Sequence, residues 1–92
     1  GSVIGVAIGA TAALTAGSAT AEETIRQFDD AVRATGLTAV IAGTAATQFN
    51  ATAQARGISV FSTTDSIGCR LTTTADIAPL TAEVVCTVIV EL

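Results

Sequence analysis

Two cysteines, Cys69 and Cys86, are the only side chains in this chain suited to redox or soft-metal chemistry. Their spacing is far from CxxC, and two thiolates with no histidine do not complete a zinc site. The remaining chemistry is thin. There is no His and no Lys, so the residue best suited to proton transfer near neutral pH and the Schiff-base amine are both missing. No Ser-His or Cys-His pair can activate a nucleophile. The glycines form neither GxGxxG nor a Walker loop. Glu22–Glu23 and Asp29–Asp30 are adjacent in sequence and diverge on a helix surface, and no calcium-loop spacing occurs. The expectation is a protein that is not an enzyme, with no catalytic, cofactor-binding or metal residues and no cofactor.

The elements that would position the cysteines lie in the last third of the chain. Ile67 to Val90 reads as two strands, IGCRLTTTAD and TAEVVCTVIV, joined by a connection carrying the only proline, Pro79. Paired antiparallel with Cys69 opposite Cys86, the strands set Leu71 against Val84 and Ile67 against Val88 on one apolar face. That register predicts a Cys69–Cys86 disulfide across neighbouring strands, and hence an oxidising compartment. Two reduced cysteines packed as small hydrophobes are the alternative. Arg70 is placed to pair across to Glu83. Ile58 to Phe61 adds a third strand, making a three-stranded meander.

Val3 to Ala16 is uncharged and apolar but too short to span a bilayer, which takes about 20 residues. As a helix it aligns Gly1, Gly5, Gly9, Ala13 and Gly17 every fourth residue, a stripe permitting close backbone approach. As a strand it puts Ile4, Val6, Ile8, Ala10, Ala12 and Leu14 on one face. The helix is favoured, with Gly5, Gly9, Ala13 and Gly17 as an assembly or packing face. Ala21 to Thr35 is expected to be a second helix. Thr20 and Glu23 have capping-box spacing, and Glu22–Arg26 and Asp29–Arg33 are pairs four apart. Gly36 would end it, with Leu37 folding back onto Val32. Leu37 to Ala42 reads as a short buried strand and Thr44 to Arg56 as a helix stopped by Gly57. One helix from Thr38 to Arg56 is the rival. Asn50-Ala51-Thr52 matches the N-glycosylation triplet, taken as a chance match.

These parts make one domain, 1–92, of α+β class. An apolar packing segment (1–17) and a helical region (18–57) would pack on an antiparallel sheet (58–92). Small residues dominate the apolar half, with three Phe and no Trp, Tyr or Met, so a monomer's core would be thin. The net charge of −4 argues against nucleic acid and against an anionic membrane surface. No basic n-region precedes the apolar stretch, so an exported protein is expected here in mature or trimmed form.

The order of segments, opening GSV, passing through an Ala-rich middle and ending VVCTVIVEL, resembles the small TadE-like pseudopilins of the tight-adherence (Tad) pilus. The resemblance implies an N-terminal hydrophobic helix, a small extracellular domain, and membrane contact that is only transient. The expected function is a self-associating structural subunit of a surface or extracellular assembly, with a periplasmic setting possible. Its partners would be copies of itself or other subunits. A phage or virion structural or decoration protein, and a small periplasmic or secreted binding module, are the alternatives.

Overall fold

The computed structural model describes residues 1–26, 32–45 and 47–92. Among these the chain forms seven strands: β1 (Ser2–Ala10), β2 (Ser18–Arg26), β3 (Val32–Ala42), β4 (Phe49–Ala53), β5 (Ser59–Val60), β6 (Ser66–Thr73) and β7 (Val84–Glu91). The helical component is one 3-10 turn, Gly43–Ala45. The α+β class expected from the sequence is therefore replaced by a nearly all-β fold of two antiparallel sheets.

In sheet 1, β1 is central. β7 lies along it from Ser2 to Ala10. β4 (against Gly5–Gly9) and β5 (against Ser2–Val3) share its other edge. Sheet 2 has the order β3-β2-β6. The inner faces meet in a core of Val6, Ile8, Leu14, Ala19, Ala21, Ala39 and Ile41. Full burial of Ile8, Leu14 and Ile41 stabilises by roughly 1.5–3 kcal/mol each, whereas each alanine adds far less. Bulky side chains on β1 thus face alanines on β2 and β3, as interdigitating layers require.

Among the described residues neither N-terminal helix is present, for identifiable reasons. In β1, Val6 and Ile8 alternate inward around Ala7, a period of two. The i+4 recurrence of glycine coincides with that period, so the stripe did not discriminate between helix and strand. In β2, Ala19, Ala21, Glu23 and Ile25 are buried while Thr20, Glu22 and Thr24 are not. Thr20 and Glu23 therefore point to opposite faces and form no capping box. Between the pairs Glu22–Thr38 and Thr24–Ala34, one residue of β2 faces three of β3, a bulge in which Gly36 has φ +91°. Glycine supplies a left-handed residue there, as expected, but inside a strand pair and not at a helix end. Asp29, and with it the pairing to Arg33, lies outside the described residues. The helix expected over Thr44 to Arg56 is instead the 3-10 turn followed by β4.

The predicted hairpin is also corrected. β6 and β7 are strands, but they do not pair: β6 adds to β2 and β7 adds to β1, so they are edge strands of different sheets. The Cys69–Cys86 disulfide forms nonetheless, bridging the sheets with the Cα atoms 6.3 Å apart. Arg70 faces Glu22 on β2 at 3.6 Å, not Glu83.

The disulfide closes one open seam of the sandwich. Side chains of β4 close the other. Asn50 Nδ2 donates to Val40 O (2.9 Å) and Thr52 Oγ1 donates to Thr38 O (2.7 Å). Both polar members of the glycosylation triplet are therefore occupied in capping the backbone of β3. The chain crosses from β6 to β7 over the turn that precedes β2. There Thr74 Oγ1 accepts from Ser18 N at 2.9 Å, and Gly17 (φ +70°) leaves no room for a Cβ, which would lie 2.7 Å from the Ile77 backbone.

The bridged cysteines lie 17 positions apart in the chain. Replacing both cysteines by serine is expected to cost about 3 kcal/mol, read as a lower urea midpoint with a somewhat larger m-value, because the denatured chain without its cross-link exposes more surface. An unchanged midpoint would show that the seam holds without the bond.

Candidate functional site

The outer faces of the two sheets differ in chemistry. On sheet 2 the residues that alternate outward include Thr20, Glu22 and Thr24 of β2 and Arg70 and Thr72 of β6, with the Glu22–Arg70 ion pair among them. This is an ordinary solvated face. On sheet 1 the outward positions of β1 are Gly5, Ala7 and Gly9. The register sets Ala53, Ala51 and Phe49 beside them on β4, and Ile89, Thr87 and Val85 on β7. These nine positions carry no charge. Phe49 (67% exposed), Val85 (63%) and Ile89 (47%) stand open to solvent.

Glycine at two of these positions shapes the surface differently. A Cβ at Gly5 would sit 3.1 Å from Ile89 Cδ1 and 3.3 Å from Thr52 O, so the Ile89 side chain already covers this end of β1. At Gly9 the nearest atom to such a Cβ is Phe49 Cδ2, at 3.6 Å, leaving an open groove of about 450 Å³. Phe49 and Val85 line its sides, and Thr11, Gln48 and Glu83 lie at its end. That end is held by two hydrogen bonds of 2.9 Å, from Glu83 N to Thr11 Oγ1 and from Thr11 N to Glu83 O.

The predicted packing stripe is thus divided. Gly5 and Gly9 lie on the outer face of sheet 1. Ala13 lies in the turn after β1, and Gly17 packs against the Thr74–Ile77 crossing. Cys69 and Cys86 are half-buried against the core and joined.

A buried polar cluster went unrecognised in the sequence. Gln54 Nε2 donates to Val3 O (2.9 Å) and to Ser59 Oγ (2.8 Å), and Ser59 Oγ donates to Glu23 Oε1 (3.3 Å). Glu23 is fully buried and Ser59 nearly so. The chain of contacts ties the β4–β5 edge of sheet 1 to the central strand of sheet 2. Its signal was present in the strand alternation, where Glu23 takes the inward position between Ala21 and Ile25.

Among the described residues no group of three or more His, Cys, Asp or Glu side chains could hold a metal ion. No helix among them is long and apolar enough to cross a membrane. No family model, curated protein or solved structure matches the chain.

Ser59→Ala removes a donor from a buried carboxylate. The expected loss is about 1–3 kcal/mol in chemical denaturation, against little change for exposed Thr64→Ala. Equal stability of the two variants would remove Ser59 from the set of contacts that hold the sheets together.

Proposed function

We propose that the chain is a structural, non-enzymatic subunit of an extracellular or cell-surface assembly, packing against copies of itself through the outer face of sheet 1. One observation carries this reading: three strands present a contiguous, uncharged surface of Gly, Ala, Thr, Val, Ile and Phe, while the opposite face of the sandwich carries, among the described residues, Glu22, Arg70 and several threonines around a single exposed Val40. Soluble monomers seldom leave such a patch to water.

The route of association follows from what is already occupied. Strand-edge pairing is the common alternative for a β protein. Here the seam between β3 and β4 is capped by Asn50 and Thr52, and the seam between β6 and β7 is tied by the disulfide. The face offers the larger uncharged surface. A cross-linked pair of sheets also suits an oxidising setting outside the cytoplasm. This reading stands on the face and not on the likeness to tight-adherence pseudopilins, whose N-terminal helix is replaced here by β1.

Sedimentation velocity over a concentration series tests it. The parent chain is expected to self-associate. Ile89→Lys, which sets a charge on the face at its Gly5 end, should weaken association by about tenfold or more, equivalent to about 1.4 kcal/mol. Thr72→Lys, on the outer face of sheet 2, should leave it unchanged. A parent chain that stays monomeric at all concentrations would overturn the proposal.

A further inference from the structure

We infer that the copies dock head to tail. The Arg56–Ile58 loop of one copy enters the groove over Gly9 of the next, with Arg56 meeting Glu83. This rests on the self-assembly reading above and gives it a polarity.

The groove has apolar sides and an acidic end. Phe49 and Val85 flank it, Gly9 leaves its floor open, and Glu83 stands at the end. The Glu83 backbone is held by Thr11, while its carboxylate pairs with no cation among the described residues. Such a site fits an aliphatic side chain carried beside a positive charge, in a chain whose net charge of −4 otherwise repels its own copies.

That combination occurs on the same molecule at the other end of β1. Between β4 and β5 the chain turns through Gly57 (φ +89°), and Gly57 N donates to Ser2 Oγ at 2.9 Å, anchoring the tip to the start of the strand. On either side of the glycine stand Ile58, 64% exposed, and Arg56, whose side chain is 76% exposed. The loop is thus a fixed knob with an apolar flank and a cation. Arg56 pairs with Glu91 at 2.7 Å, but in a solvent-exposed geometry. Exposed pairs of this kind contribute little and are readily exchanged for another carboxylate.

Knob and groove are separated by the length of β1, about 26 Å for the rise from Ser2 to Ala10. They do not overlap, so one copy can use both at once. A contact between two different patches does not close on itself as a two-fold dimer does. Repeated, it grows a polar fibre or a large ring.

Charge reversal provides the test, using intact oxidised protein and light scattering with electron microscopy. Arg56→Glu alone places like charges at every junction, and so does Glu83→Arg alone. Each should raise the concentration needed for assembly by about tenfold or more. Both positions are exposed, so folding should be retained, as near-parental thermal unfolding would confirm. Mixing the two variants in equal amounts restores opposite charges at every junction of an alternating array, and assembly should return to near the parental threshold. Parental assembly by either single variant, or no recovery on mixing, would overturn the docking while leaving self-association through the face intact. Failure of the parent itself to assemble would overturn both.

Discussion

The structure depends on closing the two open seams of a small sandwich. With alanines at three of its seven core positions, the interior holds little apolar bulk to keep the sheets together. Each seam is therefore fastened by something other than core packing. On one side the Cys69–Cys86 bond joins the edge strands β6 and β7. On the other, Asn50 and Thr52 reach from β4 to two carbonyls of β3. At one end, Gln54, Ser59 and Glu23 add a buried polar tie. These fastenings cap two carbonyls of the β3 edge and cross-link β6 to β7 through side chains. Beyond them lies the broad uncharged outer face of sheet 1.

The fold was partly legible in the sequence. Strands near Ile58–Phe61 and within Ile67–Val90, and the pairing of the two cysteines, follow from local β-propensity and cysteine placement. Strand partnership does not, because it is decided by residues far away in the chain. β1 supplies the neighbour of β7 and β2 that of β6, and neither is visible from the local hairpin. A register that matched Cys69 with Cys86 across one ladder satisfied the same constraint that a bond between sheets satisfies. Sulfur proximity alone could not separate the two.

The helical expectation over the first half failed through two coincidences. Glycine every fourth residue is also glycine at every second outward position of a strand, so the stripe at Gly5 and Gly9 fits both periods. In β2 a fully buried glutamate stands where the apolar alternation would place an aliphatic residue. A reader who assigns charge to solvent loses the period-two signal at Glu23 and finds a capping box in its place. Gly5 and Gly9 were thus assigned to a helix, whereas they lie on the outer face of sheet 1. Ala13 and Gly17 belong to the turn and not to that surface. The groove, and the pairing of Arg56–Ile58 with Glu83 inferred from it, needed the three-dimensional arrangement. Gly9, Phe49 and Val85 come from three strands that are distant in sequence.

The central claim is that a second copy covers one face of the sandwich and not the other. Hydroxyl-radical footprinting of the oxidised protein, from dilute to concentrated solution, addresses this side chain by side chain. Phe49 and Val85 should lose reactivity as concentration rises, while Val40, which lies beside Thr20 on the outer face of sheet 2 and is 40% exposed, should keep its own. Labelling of Phe49 and Val85 that is independent of concentration, or equal protection of all three, would contradict the account.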